Sequence, residues 1–314
     1  MTRTRARKRS SGRPFEVLIA LTGATGFVGR RTLDLALARG HRICALARRA
    51  QPARDGVAWV EGALDRREAL DALVRGAEAV VHVAGVVNAP DRARFAAGNI
   101  EGTRAVLDAA SRAGVRRFVH VSSLAAREPG LSNYGWSKAE AERVVEASGL
   151  DWTIVRPPAV YGPGDLDQLD VFRLAKRGLA LLPPPGRMSA IMVDDLAALL
   201  LALAERNGPQ AIFEADDGRA IGHCDYARAI GRALGRRVLA LPLPAPLLRL
   251  GARVDQRVRG AGARLTPDRA AYLSHPDWAV DPARRPPLEL WAPRIGLDAG
   301  MAATVGWYRA QGLL

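Results

Sequence analysis

Tyr134 and Lys138 stand four residues apart within Ser132 to Ala147, a segment that reads as a helix with Gly149 just past its end. That spacing puts the phenol and the ammonium on one face. A free phenol titrates near ~10 and exchanges protons poorly at neutral pH until a neighbouring cation stabilises the phenolate. Lys138 would be that cation, and the pair could pass a proton to or from a substrate oxygen as general acid or base. Upstream, Ser122 and Ser123 close the apolar run Arg116 to Val121 and offer a hydroxyl that could hold the reacting oxygen. A Y-x-x-x-K pattern arises by chance, but of 46 basic residues only Lys8, Lys138 and Lys176 are lysines. A lysine at this spacing is therefore a departure from the chain's own habit.

The elements that must position these groups begin at T-G-A-T-G-F-V-G, Thr22 to Gly29. Five apolar residues, Val17 to Leu21, precede it and suit a strand buried on both faces. Phe27 to Arg39 follows with helical periodicity and Gly40 as a stop. Strand, glycine turn and helix form a dinucleotide cradle: the diphosphate would sit on Gly23, Ala24, Thr25, Gly26, Phe27, Val28 and Gly29, at a helix N-terminus whose free N–H groups and dipole favour anions. Further strands are expected over Arg42 to Ala47, Val57 to Val60, Ala79 to Val83, Arg116 to Val121 and Asp151 to Val155. Helices are expected over Glu68 to Val74 and Arg94 to Ala110, with Asp65 capping the first of these. This alternation predicts an α/β fold, a doubly wound parallel sheet of Rossmann type. Small residues at Ala84 and Gly85 would let a cofactor approach the backbone, and His82, flanked by apolar residues, reads as buried. With a nicotinamide dinucleotide in place the chemistry is hydride transfer, Tyr134 handling the proton and Lys138 also holding the nicotinamide ribose.

The glycine spacing, the serine pair and the Tyr-Lys pair, in that order, resemble the extended branch of the short-chain dehydrogenase/reductase superfamily, which is NAD-dependent epimerase/dehydratase-like. The resemblance runs from Val17 through I-M-V-D-D-L-A at Ile191 to the terminal Trp307-Tyr308-Arg309. It implies that Ser123 rather than Ser122 is catalytic with Tyr134 and Lys138, and that Asn99 ties its helix to strand four. Ala47 falls where NAD-preferring members carry an acid, so NADP is favoured with NAD as the alternative, Arg48 and then Arg49 meeting the 2′-phosphate. Ala63 replaces the usual adenine-binding aspartate, leaving backbone or Leu64 for that task. In R-P-P-A-V-Y-G-P-G, from Arg156, Pro157 and Val160 would lie against the nicotinamide. Three departures matter: nucleotide-sugar epimerases have an asparagine at Ala159 and an arginine at Met188, which Arg187 could replace only by a register shift, and dehydratases have Asp-Glu at Arg127-Glu128. The expected function is therefore NADP-dependent oxidoreduction of a carbonyl or hydroxyl compound, a small molecule less anionic than a nucleotide sugar. The alternatives are a sugar epimerase or dehydratase and a non-catalytic NADP(H)-binding sensor or assembly protein. Many relatives pair two helices into a dimer, which implies a homodimer through Arg94 to Ala110 and Ser132 to Ala147.

At 314 residues with 48% hydrophobic residues, the chain can bury a large core. Three parts are expected: a basic disordered tail over 1–14, a cofactor-binding domain over 15–160, and remaining sheet elements interleaved with a smaller C-terminal substrate-binding region over 161–314. The net charge of +14 is concentrated partly in that tail, where Arg3, Arg5, Arg7, Lys8, Arg9 and Arg13 stand with no acid among them. Contact with anionic surfaces is open to such a tail, and no specific nucleic-acid partner is expected. Cys44 and Cys224, far apart in sequence, suggest neither a disulfide framework nor a metal site and fit a reducing, cytoplasmic setting. No apolar run approaches the roughly 20 residues of a membrane span. The proline-punctuated stretch Leu239 to Val254 is read first as core or pocket wall, with a lid or a membrane-surface contact as the other readings.

Overall fold

The computed structural model describes residues 16–314 other than 207, 209 and 264; the segment expected to form a tail over 1–14 lies outside them. In chain order the first half comprises β1 (Leu18–Thr22), α1 (Phe27–Ala38), β2 (Arg42–Ala47), β3 (Val57–Glu61), α2 (Arg67–Val74), β4 (Ala79–His82), α3 (Arg92–Phe95), α4 (Gly102–Arg112), β5 (Arg117–Val121), α5 (Asn133–Glu146) and β6 (Asp151–Arg156). A further strand, Ala211–Glu214, completes a seven-stranded sheet. Its order is Ala211–Glu214, β6, β5, β4, β1, β2, β3, and every pairing is parallel. The strand order reverses between β1 and β4, which opens a crevice at their carboxyl ends.

Helices cover both faces, and for that reason the central strands are apolar without alternation. Ile19 and Leu21 of β1, Val81 of β4 and Val119 and Val121 of β5 pack on one side with Leu33 and Ala36 of α1 and with Leu196, Leu199 and Leu200 of α7 (Val193–Ala204). Ala20, Val80, Phe118 and Ile154 face the other way, against Leu70 and Leu73 of α2 and Val106 and Ala110 of α4. The second half is built of smaller pieces. It includes α6 (Leu169–Lys176), α8 (His223–Leu234), α9 (Ala245–Arg259), α10 (Pro267–Leu273) and α11 (Leu297–Ala310). Short strands join them, Ala159–Tyr161 pairing with Ala190–Met192 and Leu179–Leu182 with Leu239–Pro242. Tyr161, Phe172, Ile230, Met301 and Tyr308 form a separate core there.

The segment Arg94 to Ala110 is helical as expected, with a π-helical turn over Ala96–Glu101 between α3 and α4 that turns Asn99 inward. Two local expectations are corrected. Asp65 does not cap α2: the helix starts at Arg67, and Arg66 takes the cap position with no side-chain bond. Leu239 to Val254 is not core, since α9 buries just Leu248 and Ala252. Among the described residues no helix is long and apolar enough to cross a membrane.

Candidate active site

The glycine turn closes on itself so tightly that side chains would not fit. Gly23 has a φ of +73°, and a Cβ there would stand 2.8 Å from the Ala84 nitrogen. A Cβ on Gly29 would lie 2.1 Å from the Gly23 carbonyl oxygen. Gly26, extended in backbone, caps α1 with no side-chain oxygen, leaving the first N–H groups of the helix for an anion. Thr25 and Gly26 are exposed and Phe27 and Val28 half-buried, whereas the Ala24 side chain is in the core, so only its backbone faces the crevice. Ala47 ends β2 buried, and Arg48 and Arg49 beyond it are exposed. Leu64 rests on α4, its Cδ1 2.7 Å from where a Cβ on Gly102 would be.

A buried hydrogen-bond chain locks this turn to the opposite side of the crevice. His82 is fully buried and its pKa is pushed down to about 3, by burial first and the Lys138 charge second, so the ring is neutral. The Thr103 hydroxyl donates to the Asn99 carbonyl at 2.6 Å, so its bond with His82 Nε2 at 3.0 Å needs the ring proton on Nε2. Nδ1 is then the acceptor for the Thr22 hydroxyl at 2.7 Å, and that oxygen in turn accepts from Ala84 N at 3.1 Å. His82 is buried, as expected, and it orders the backbone on both sides of the crevice. Asn99 holds Val86 through both its backbone groups, at 2.6 and 2.9 Å, and donates to Ser137 Oγ on α5 at 2.8 Å. It thus ties its helix to the loop after β4, beyond the strand itself.

Ser123, Tyr134 and Lys138 come together at the carboxyl ends of β4 and β5. Ser132 caps α5 by accepting from Gly135 N at 2.9 Å. Gly135 has no room for a Cβ, which would lie 2.6 Å from the Ala125 oxygen, and this close approach brings α5 onto the turn after β5. There the Ser123 side chain, which also accepts from Ala125 N at 3.2 Å, is close enough to the Tyr134 phenol to favour its ionised form. Ser122 is directed elsewhere and donates to Glu142 at 2.5 Å. The Lys138 ammonium donates to the Val121 carbonyl at 2.7 Å and lies 3.7 Å from where a Cβ on Gly85 would stand. Burial lowers its pKa to about 8, the nearby Glu142 carboxylate offsetting part of the drop. For Tyr134 the expected lowering is reversed: burial raises the phenol, and the Ser123 side chain and the Arg269 charge only partly compensate. Pro157 is buried and Val160 half-buried beside the sheet's carboxyl edge.

Several contributors carry no local sequence signal. Glu142 is buried and takes two bonds from Arg156, at 2.8 and 2.5 Å. Arg156 and Arg127 both face Glu214, at 3.7 and 3.3 Å. This buried ion chain joins α5, β6 and the outermost strand beneath the site. Only the four-residue step from Lys138 to Glu142 could have pointed to it. From α10, Asp268 accepts from Asn133 N at 2.6 Å, and the Tyr272 ring meets Tyr134 edge-on at 6.4 Å. Trp278 makes tilted ring contacts with Tyr272 at 4.6 Å and with His275 at 4.7 Å, and Phe95 lies 6.2 Å from Tyr134. Leu124, Leu131 and Met188 complete an apolar wall with Trp278. Arg187 is exposed and faces Asp277 at 3.8 Å, so the register shift that would bring it to the position of Met188 does not occur.

A cradle that a Cβ would fill, an uncapped helix start and arginines beyond β2 fit a dinucleotide, and the chain is an NAD(P)-binding oxidoreductase. The family described as NAD(P)H-binding matches residues 23–206. A ceramide reductase of Caulobacter vibrioides is 40% identical over 309 residues, covering 95% of this chain and 96% of that protein. A (4-alkanoyl-5-oxo-2,5-dihydrofuran-3-yl)methyl phosphate reductase of Streptomyces griseus is 29% identical, over 85% of this chain and 98% of its own. Among solved structures, MoeE5 in complex with UDP-glucose and NAD has the same fold, with a TM-score of 0.72 at 22% identity, covering 94% of this chain and 99% of that one. The chain belongs to the extended short-chain dehydrogenase/reductase family.

Proposed function

We propose that the protein reduces a ketone on a long-chain lipid of the ceramide class, with NADPH preferred to NADH and with Ser123, Tyr134 and Lys138 as its working side chains. The observation that carries this reading is the Lys138 ammonium held on the Val121 carbonyl beside Gly85, with Ser123 and Tyr134 next to each other at the same strand ends, across the crevice from the glycine turn. Gly23, Gly26, Gly29 and the free N–H groups of α1 would hold the diphosphate. Arg48, then Arg49, would meet the 2′-phosphate, Leu64 would flank the adenine, and Ala84, Gly85, Pro157 and Val160 would border the nicotinamide half. That cofactor, when bound, supplies the hydride.

Ser123 would hydrogen-bond the substrate carbonyl oxygen, stabilising the charge that develops there. Tyr134 is suited to the reductive direction, because a phenol raised by burial stays protonated at neutral pH and has a proton to give. Lys138, charged below about 8, would hold the nicotinamide ribose and offset the charge left on the phenol oxygen. The apolar wall of Phe95, Tyr272, Trp278 and Met188 suits a lipid, and the full-length relative named a ceramide reductase points to the class. The two free thiols, Cys44 and Cys224, suit a reducing compartment such as the cytoplasm.

The test is NADPH consumption with a keto-ceramide and, separately, with UDP-glucose. Stoichiometric loss of NADPH with the lipid alone is expected. Interconversion of the nucleotide sugar without net cofactor change would replace this reading with the epimerase one. NADPH binding without turnover on any carbonyl compound would favour the sensor.

A further inference from the structure

Helix α9 presents three faces, set by steps of three and four residues. Leu248 and Ala252 are buried against Ala270, Leu265 and Leu273 of the α10 segment. Leu247, Leu250, Val254 and Val258 point to solvent, each more than half exposed and Val258 at 76%. At 100° per residue these four fall within about 80° of arc and run about 16 Å along the axis. Arg249, Arg253 and Arg257 form the third face, exposed and next to the apolar stripe. Among the described residues no ion pair engages these three arginines. The one acid of the helix, Asp255, is turned inward and accepts from Leu265 N at 2.9 Å. Just before the helix, Leu239 and Leu241 are exposed as well, and Leu181 beside Leu241 is half exposed.

Scattered exposed aliphatics are ordinary, but a continuous stripe flanked by an arginine stripe marks a contact surface. We propose that α9 lies on an anionic lipid bilayer, with Leu247, Leu250, Val254 and Val258 at the boundary of headgroups and acyl chains and Arg249, Arg253 and Arg257 on lipid phosphates. The charge decides the occupant: exposed arginines without a balancing acid are complementary to a negative surface. The stripe is wholly aliphatic and lacks the aromatic anchors that dominate protein partners. The back of α9 packs on α10, which carries Asp268 and Tyr272 at the active site, and Asn88 in the loop after β4 donates to the Ala263 carbonyl at 3.1 Å. A bilayer contact here would set the substrate side of the crevice next to lipid. This inference does not depend on the substrate proposed above.

The experiment is flotation of the full chain with vesicles of phosphatidylcholine alone or mixed with phosphatidylglycerol. NADPH affinity reports folding, and light scattering without lipid reports mass. The wild type should float with the anionic vesicles and be released as salt rises. R249Q/R253Q/R257Q should bind them about 100-fold more weakly, from roughly fivefold per arginine. L250E/V254E should not float, with NADPH affinity unchanged in both variants. Flotation of either variant like wild type, or no wild-type flotation, overturns the proposal. A fall in solution mass caused by L250E/V254E also overturns it and assigns the stripe to a second copy of the chain. Should L250E/V254E lose NADPH affinity, the arginine variant alone decides. Failure to reduce keto-ceramide would leave the vesicle result standing, so the two readings fail separately.

Discussion

The cofactor side and the substrate side of the crevice are built on different terms. On the cofactor side, requirements fall on the backbone: Gly23 and Gly29 are where they are because a Cβ would meet main-chain atoms, and the helix start behind them needs no particular side chain. On the substrate side, the requirements fall on side-chain identity. Met188 stands where an arginine would serve a nucleotide sugar, and Tyr272 and Trp278 arrive from more than a hundred residues downstream of Tyr134 to form the wall. A binding site made of backbone tolerates little change and looks alike in proteins with different substrates. A site made of side chains can be rewritten one residue at a time.

That contrast can be broken at four points. Tyr134→Phe keeps the ring contacts and removes the proton, so kcat/KM should fall by about a thousandfold while NADPH affinity stays. Steady-state kinetics beside equilibrium NADPH binding would show it, and a joint loss of both would mean that the residue is structural. Gly29→Ala should cost about a hundredfold in NADPH affinity, and about 2–3 kcal/mol of stability, by forcing the turn open. Gly306→Ala in α11, with nothing within 4 Å of the added carbon, should instead be neutral or raise the melting temperature slightly. Arg48→Ala should weaken NADPH about twentyfold and leave NADH unchanged, the loss of one charge-assisted hydrogen bond. Equal losses for the two cofactors would place the arginine away from the 2′-phosphate.

The smallest effect expected is one of pH. Lys138 has its pKa lowered to about 8 by burial, while Tyr134 is raised and stays protonated through that range. For reduction, the free enzyme should therefore hold a level kcat/KM below neutrality, reach half of it at about pH 8, and lose activity as Lys138 deprotonates above that. A profile still level at roughly one and a half pH units above that midpoint, or one rising with pH, would remove Lys138 charge from the mechanism.

Local pattern carried a reader far on the cofactor side. The alternation of apolar runs and helical periodicity marks β1 to β6 nearly to the residue, and Arg42–Ala47 to the residue. The glycine turn and the Tyr134–Lys138 step are local too, since i, i+4 geometry is settled within one helix. Where reading fell short, a tertiary partner had intervened. Asn99 turns inward because Val86 and Ser137 need its amide, and the helix around it loosens into a π turn. Tyr134 is raised rather than lowered because burial, set by elements distant in sequence, outweighs its neighbours. Leu239 to Val254 looks like core by composition, yet among the described residues its helix buries only Leu248 and Ala252.

From the order of residues alone came the parallel sheet, the phosphate-binding turn and the two groups able to trade a proton, because each depends on contacts within a few residues. Folding in three dimensions decided which serine meets the phenol, which charge lies near the lysine, and which apolar residues stay at the surface. Those outcomes depend on burial and on partners from distant parts of the chain, which no short window of residues contains.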